Sequence, residues 1–224
     1  METTGARPLK VGLYIPNGVG YMAGGVDRWS DVLAMAQAAE RTGFDSVWLA
    51  DHMIFRFDDE DETQGRWEAW STLAALAAST TRVEIGPLVC CMGFRNPALL
   101  AKMVDTVDEI SGGRLTLGLG AGWHEPEFTS YGFPFDHRAS RFEESFTIVH
   151  DLLRTGRADF SGAYVQAVDC ELRPRGPRPQ GPPIMIGTIG ERMLRLTARF
   201  ADSWNTTWCD APSATPPLRA RVDA

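Results

Sequence analysis

Short apolar runs alternate with amphipathic segments along the chain, and this alternation predicts its secondary structure. Each run of strand length is followed by a stretch in which apolar residues recur every three or four positions, as on one face of a helix. The runs that predict strands are residues 10–16, 45–52, 83–89, 114–123, 183–186 and 202–208. Nearly continuous apolar strands separated by helices indicate a parallel sheet covered by helices, so the fold class is α/β. Periodicity alone leaves a doubly wound sheet and a barrel open.

End signals support the predicted helices. Asp27 is placed to cap the first helix and Gly43 to end it, while Gly112 and Gly113 close the third. Further helices are predicted at 67–79, at 140–153 and after Gly190. The apolar stripes expected to face the core are Trp29, Val32, Leu33, Ala36 and Ala39 in the first helix, Leu99, Leu100, Met103, Val104, Val107 and Ile110 in the third, and Phe142, Phe146, Val149 and Leu153 in the fourth.

Two stretches break this rhythm. Residues 156–182 are rich in Pro, Gly and Arg and are predicted to be an insertion between the fourth helix and the fifth strand of a single domain, 1–224. Within them "FSGAYVQAVDCEL" predicts a small hairpin. The acidic stretch "DDEDETQG", residues 58–65, is predicted to be a solvated loop.

Composition narrows the class of protein. The 224 residues are 44% hydrophobic and 23% charged, which is typical of a soluble globular protein. A net charge of −7 without a basic run argues against nucleic-acid binding. The chain lacks an apolar run of membrane-spanning length and begins without the apolar core of a signal peptide. The four cysteines have neither zinc nor redox spacing, so we expect reduced thiols, a cytoplasmic location and no metal site.

Candidate chemistry lies where the predicted strands end, because catalytic groups of parallel α/β folds gather on the loops after the strands. Asp51 and His52 follow the second strand, as a titratable pair over a pocket or as a polar pair that caps a loop. Trp123 follows the fourth strand and is either a loop anchor or one wall of a planar-ligand site. His124 is either a pocket residue or a rim residue without a role. Arg95 is expected at the pocket rim.

The stretch "GTIGER", residues 187–192, poses a separate question. It joins a buried strand to a helix, and the free backbone N–H groups of a helix start bind phosphate. A lone pair of glycines is a weak signal, but their place after a strand makes Gly187 and Gly190 a candidate anion turn. Arg192 adds positive charge there or simply lies on an exposed helix face.

Three stretches together resemble the bacterial luciferase-like monooxygenase superfamily, most closely its coenzyme F420-dependent oxidoreductases. They are "AAERTGFDSVWLADH", "RNPALLAKMVDTVDEISGGRLTLGLGAGWHEPEF" and "PIMIGTIGERMLRLTARFADSWN", in family order between about residues 10 and 208. The resemblance implies a TIM (β/α)8-type barrel and a flavin or deazaflavin cofactor. It also implies that the cofactor's phosphate lies near the fifth and sixth strands, where "GTIGER" stands.

The resemblance also implies roles for individual residues. His52 matches a histidine that many F420-dependent members place beside the deazaflavin ring, and Asp51 matches the acidic residue before it. The stretch Gly86, Pro87, Leu88 and Val89 matches a bulge with a non-proline cis peptide that supports the ring; a Gly86–Pro87 cis bond is the alternative, because X–Pro bonds adopt cis at lower cost. The residues that match the phosphate-binding turn are Gly187, Thr188, Gly190 and Glu191.

Two departures from the family pattern matter. Trp123 stands where members that oxidise sugar phosphates carry a glutamate, which argues against that substrate class. The chain covers strands one to six, and the last two barrel units are missing. It is therefore expected to be a fragment or a protein that completes itself as a homodimer.

These observations lead to one function and two alternatives. The first is an oxidoreductase that transfers a hydride between reduced coenzyme F420 and a small organic substrate, with His52 as the proton carrier. A groove of Arg95, Arg138 and Arg141 would suit the anionic F420 tail. The second keeps the fold but uses FMN and oxygen as a monooxygenase. The third is a non-catalytic cofactor-binding or incomplete barrel protein.

Overall fold

The computed structural model of the chain describes residues 9–19, 28–57, 62–206, 213 and 215–223. The predicted Asp27 cap, the acidic residues 58–61 and the end of the sixth predicted strand, 207–208, lie outside these ranges.

Strands and helices alternate as the sequence predicts. The strands are β1 (Gly12–Tyr14), β2 (Ser46–Leu49), β3 (Ile54–Phe55), β4 (Gln64–Gly65), β5 (Glu84–Pro87), β6 (Cys90–Cys91), β7 (Leu117–Gly120), β8 (Arg157–Ser161), β9 (Gln166–Glu171), β10 (Ile184–Gly187) and β11 (Ser203–Asn205). The helices are α1 (Trp29–Thr42), α2 (Ala69–Ser79), α3 (Pro97–Ser111), α4 (Glu125–Tyr131), α5 (Arg138–Thr155), α6 (Glu191–Phe200) and α7 (Thr215–Asp223), with a 3-10 turn at Met92–Phe94. None of these helices has the length and apolar character that crossing a membrane requires.

The main strands form consecutive parallel staves. One sheet has the order β1-β2-β5 and the other the order β11-β10-β7-β6, and every pairing within them is parallel. β5 and β6 are successive parts of one chain run, and a parallel bridge from Ile85 to Leu115 also links the sheets. The predicted TIM-barrel-type α/β fold is therefore confirmed, with its six predicted staves in chain order.

The core lies between the staves and the helices, and the strands β2, β5, β7 and β10 are buried on both faces. Four residues of the predicted α5 stripe are buried: Phe142, Phe146, Val149 and Leu153. In α3 the prediction is too wide: Leu99 is 55% exposed and Ile110 is 45% exposed. The face that α3 buries runs through Leu100, Val104 and Val107. Leu99 and Ile110 lie beside this face. Gly43 and Gly112 end α1 and α3 in the left-handed conformation, as predicted.

The chain bends between β5 and β6. The bond between Leu88 and Val89 is a non-proline cis peptide, inside the predicted bulge. The alternative placement at Gly86–Pro87 is wrong. Gly86 fits there because a Cβ would stand 2.3 Å from the Thr116 carbonyl oxygen of the neighbouring strand.

Two further elements differ from the expectation at loop positions. Part of the predicted acidic loop is strand, since β4 pairs antiparallel with β3. The stretch "GAGWHEPEF" contains helix α4, which the sequence analysis treats as loop. The hairpin of β8 and β9 is confirmed as an antiparallel pair.

A proline- and arginine-rich strap, residues 173–182, leads from this hairpin to β10. Two buried carboxylates of α3 hold it: Asp105 binds Arg175, and Asp108 binds Arg178. The strap therefore ties α3 to the entrance of β10.

Candidate active site

Asp51 is the anchor of the strand-end loops. Its side chain is 2% exposed and accepts the backbone N–H of Cys91 at 2.9 Å. Arg95 grips both carboxylate oxygens, with Nη1 at 2.7 Å and Nη2 at 2.9 Å, and also binds Glu68 at 2.6 Å. The network ties the loop after β2 to β6 and to the start of α2, so the Asp51 carboxylate faces protein partners.

This network removes Arg95 from the predicted basic groove. Its side chain is only 12% exposed and is shared between two carboxylates. Burial is the largest single influence and lowers the pKa of the guanidinium, but the charge of Asp51 and the hydrogen bonds to Asp51 and Glu68 together outweigh it, so the pKa lies above its ordinary value. Of the other two, Arg138 stacks on Phe135 and Arg141 binds Asp136. The expectation for Arg95 is therefore wrong, because its partners come from distant parts of the chain.

His52 is held by a buried glutamate. Its Nδ1 lies 2.9 Å from Oε2 of Glu127 in α4, 75 residues away in sequence. Glu127 is fully buried, and its Oε1 also accepts the backbone N–H groups of Met53 and, at 3.1 Å, Ile54. Because a carboxylate can only accept hydrogen bonds, this contact assigns the proton to Nδ1 of His52 and leaves Nε2 without a contact to Glu127. His52 remains 19% exposed.

Glu127 is the functional candidate that the sequence analysis misses. The sequence gives little indication of this role, because the stretch "HEPEF" contains two glutamates and a proline and is typical of a loop. Helical spacing places the exposed Glu125 and the buried Glu127 on different faces of α4. The contact with His52 depends on tertiary structure, so local pattern could not show it.

His124 has a scaffold contact of its own. Its Nε2 accepts the backbone N–H of Arg56 at 3.0 Å, which requires an unprotonated nitrogen there. The residue is 5% exposed, and burial lowers its pKa below the ordinary 6.5, against the opposing charge of Glu127. His124 therefore fixes the loop after β2 in its neutral form.

Aromatic rings surround His52. Phe55 lies 4.2 Å from it between ring centroids, and Trp123 meets it edge-on at 5.9 Å. Phe57 and His124 complete the group, and His124 lies 5.1 Å from Trp123. The structure thus brings together His52, Trp123 and His124 where the loops after β2 and β7 meet, and we call this place the strand-end recess.

The cis bulge packs against β7 and β10. A Cβ on Gly120 would lie 2.7 Å from Cγ2 of Val89, and one on Gly187 would lie 3.1 Å from both methyl groups of Val89. The missing side chains on β7 and β10 therefore make room for Val89. The bulge and the predicted phosphate turn are packed directly against each other.

The phosphate turn itself differs in detail from the expectation. Gly190 is the N-cap of α6, one position before its first turn, and provides no side-chain cap. The N–H of Thr188 binds the carbonyl of Asn205 at 3.1 Å, and the N–H of Gly190 binds Oγ1 of Thr188 at 3.2 Å. The sequence analysis expects the backbone N–H groups at this helix start to be free for an anion, and those of Thr188 and Gly190 are instead used within the protein.

The charged residues of the turn also have partners. Glu191 pairs with Arg195 at 3.4 Å and with Arg221 of α7. Arg192 reaches across to α5, where it binds Glu143 and, at 3.0 Å, Oγ of Ser140. Its side chain stays half exposed. The start of α6 is therefore linked to the first two turns of α5.

Metal and thiol chemistry finds little support in the described residues. They contain no group of three or more His, Cys, Asp or Glu side chains placed to hold a metal ion. Cys90 and Cys91 are free and buried, and burial raises the pKa of both thiols. Cys170 is also free, and Cys209 lies outside the described residues.

The sequence of the chain matches a known protein family. The chain belongs to the luciferase-like monooxygenase family, whose model matches residues 9–223. The resemblance carried by the three sequence stretches is thereby confirmed.

Curated relatives include enzymes of two named kinds. A pyrimidine monooxygenase RutA from Cronobacter sakazakii is 33% identical over 200 residues, covering 85% of this chain and 58% of the relative. An F420-dependent glucose-6-phosphate dehydrogenase from Amycolatopsis mediterranei is 31% identical over 183 residues, covering 79% and 53%. The chain thus spans somewhat more than half the length of these two relatives.

Solved structures share the fold. An F420-dependent secondary alcohol dehydrogenase with an F420–acetone adduct matches with a TM-score of 0.80 at 24% identity, over 96% of this chain and 62% of that one. A riboflavin lyase with modified FMN and riboflavin matches with a TM-score of 0.79 at 18% identity, over 97% and 59%. At this identity the likeness concerns the fold.

Proposed function

We propose that this chain forms the cofactor-binding and proton-transfer part of an oxidoreductase that moves a hydride between reduced coenzyme F420 and a small organic substrate. The observation that carries the proposal is the pair of His52 and buried Glu127 at the carboxyl ends of parallel strands, beside the cis bulge. In this fold, reacting groups gather at that end of the strands.

The residues present fit a flat cofactor with a phosphate. Leu88 and Val89 would support the ring from the bulge, carried by Gly86 and Pro87. The phosphate would lie at the turn after β10. A Cβ built on Gly190 meets only Oγ1 of Thr188, at 4.0 Å, so open space lies beside the helix start.

The turn would bind the phosphate with fewer backbone N–H groups and side chains than its sequence suggests, because several of them already have partners within the protein. Gly187 and Thr188 shape the turn. Glu191 would contribute its backbone N–H, because its carboxylate is paired with Arg221. Arg192 would add the exposed part of its guanidinium.

When bound, F420 supplies the hydride chemistry, and the chain's own residues bind, orient and handle protons. His52 would accept or donate a proton at Nε2, while Glu127 keeps the proton on Nδ1 and orients the ring. Asp51 would act as a positioning residue, because its carboxylate holds Cys91 and Arg95. Trp123 and His124 would border the substrate, with His124 acting through the loop that it holds.

A second candidate is an FMN-dependent monooxygenase. It is favoured by the ion pairs of Arg95 with Asp51 and Glu68. These pairs remove one cation from the basic groove that the long anionic tail of F420 would need. The 33% identity to a relative named pyrimidine monooxygenase points the same way.

A titration of the purified chain with F420 and with FMN, side by side, tests the proposal. Quenching of tryptophan fluorescence gives each Kd, and a cooperative melt shows that the chain is folded. We expect the lower Kd for F420. Tighter binding of FMN supports the monooxygenase. A folded chain that binds neither cofactor contradicts both and leaves a non-catalytic role.

A further inference from the structure

Three rings beside His52 pack against one another, and we call this cluster the aromatic shelf: Phe55, Phe57 and Trp123. The planes of Phe55 and Phe57 differ by 13°, at 5.7 Å between centroids. The plane of Trp123 differs by 30° from that of Phe55 and by 23° from that of Phe57, at centroid distances of 5.9 Å and 6.4 Å. The three centroids therefore form a triangle, and none of the rings is enclosed between the other two.

The shelf is covered unevenly. The guanidinium of Arg66 lies over Phe55, 4.9 Å from the ring centroid. Phe55 and Phe57 are partly buried, whereas Trp123 is 49% exposed. Trp123 also meets the edge of His52 at 5.9 Å. The half-exposed indole is therefore next to the group proposed to transfer the proton.

The charges around the shelf do not by themselves select a ligand. Arg66 lies over Phe55 and binds the carbonyl of Val19 at 2.7 Å, and Arg56 reaches Oγ1 of Thr63 at 3.2 Å. These acceptors are uncharged, so both guanidinium groups keep their positive charge, while the buried Glu127 binds His52. What the shelf offers a ligand is therefore the flat, half-exposed face of Trp123.

We propose that the substrate carries a planar unsaturated ring that stacks on Trp123 and turns a polar edge toward His52. The inference rests on the proposed function, because it places the substrate on the shelf and the cofactor on the bulge. Flat rings gain stacking energy on an indole that saturated compounds do not.

The test uses the purified chain loaded with whichever cofactor it binds. The probes are 4-quinolone as a flat unsaturated ring, cyclohexanone as a non-planar ketone, and glucose 6-phosphate as a saturated anion. Kd values and the indole ¹⁵N–¹H signal of Trp123 are measured for the wild type, Trp123→Leu and Trp123→Phe. Trp29→Leu, at an exposed residue at the start of α1, is the matched control.

We expect only 4-quinolone to bind tightly and to shift the Trp123 signal. Trp123→Leu should raise its Kd about tenfold, Trp123→Phe should restore most of the affinity, and Trp29→Leu should leave it unchanged. Weak binding of all three probes, or an equal Kd for cyclohexanone or glucose 6-phosphate, overturns the inference. A loss of cofactor affinity in Trp123→Leu also overturns it, because the shelf would then hold the cofactor. If the wild type binds no cofactor at all, it is the proposed function that fails.

Discussion

At the scale of single residues, the two polar residues after β2 have different surroundings. Asp51 is buried, and its carboxylate binds Arg95 and the backbone N–H of Cys91. His52 uses only Nδ1 in its contact with Glu127, which leaves Nε2 for a ligand. Adjacent residues on an extended chain point to opposite sides, so one anchors the loop and the other lines the recess.

His52→Ala should lower turnover by about 10² to 10⁴-fold, the usual contribution of one positioned proton-transfer group. Cofactor Kd and melting temperature should change little, because the ring is partly exposed and Glu127 keeps the N–H groups of Met53 and Ile54. All three quantities are measured on one preparation, with His137→Ala as control, since His137 is 62% exposed. Unchanged turnover with a lower melting temperature would leave His52 as scaffold only.

Glu127→Gln tests the orientation of His52. The amide can still accept N–H groups of the loop, but its NH₂ group then faces Nδ1 and favours a proton on Nε2. We expect turnover to fall on the order of 10²-fold, and ¹⁵N shifts of His52 should report the exchanged tautomer even without cofactor. Glu125→Gln, at the exposed glutamate of the same helix, is the control. An unchanged tautomer would refute the orienting role.

His124 predicts a pH dependence of stability. Its pKa is lowered in the folded state, so the unfolded chain binds the proton more tightly. The stabilisation is complete above the ordinary pKa of 6.5 and is lost as pH falls below that value toward the folded pKa. Melting temperatures of the wild type should therefore drop from pH 7.5 to 5.5 more than those of His124→Gln. Parallel curves for the two proteins would show that His124 is not responsible.

At the scale of elements, sequence pattern predicts most of the fold because strands and long helices carry strong periodic signals. The staves, α5 and the hairpin of β8 and β9 follow directly from it. Helix α4 is missed because it has seven residues, carries a proline at its second position and follows two glycines. The site is only half predictable: His52 and Trp123 stand at strand ends, but Glu127 acts through a contact that is remote in sequence.

Gly190→Val tests the turn between β10 and α6. The backbone of Gly190 is extended (φ −79°, ψ 138°) and open space surrounds its missing Cβ, so the protein tolerates a side chain there. We expect stability to fall by about 1 kcal/mol or less, while cofactor Kd rises at least tenfold because the side chain occupies the proposed phosphate position. Gly190→Ser, which keeps a good N-cap, separates helix stability from steric blocking. Equal cofactor affinity in the wild type and the valine variant would argue against the phosphate site.

At the scale of the whole molecule, the strap draws distant parts of the barrel together. Asp108 of α3 is fully buried and also accepts the N–H of Leu115, while its partner Arg178 comes from a segment 70 residues later. Removing one member of such a pair destabilises the fold, because the other member is left as an unpaired buried charge.

Arg178→Met should therefore lower the free energy of unfolding by about 3 kcal/mol. Cofactor affinity of the folded protein should persist, because the pair lies away from the strand-end recess. Denaturant unfolding measures the loss. Arg157→Met removes an arginine that is 65% exposed and should cost less than about 1 kcal/mol. An equal loss of unfolding free energy in the two variants would show that the strap's buried ion pair stabilises the fold no more than an exposed one does.

The loop after β2 takes its shape from α4 and the residue before it. Glu127 accepts the N–H groups of Met53 and Ile54, and His124 accepts that of Arg56, so the backbone of one loop is templated by side chains of another. Exchange of segments with relatives is constrained by this arrangement. If segment 52–57 alone is exchanged, its backbone N–H groups lose the matching acceptors at positions 124 and 127. If segment 123–128 alone is exchanged, its side chains meet a loop backbone that they do not match. New substrate preferences should thus be inherited, or engineered, as the two segments together.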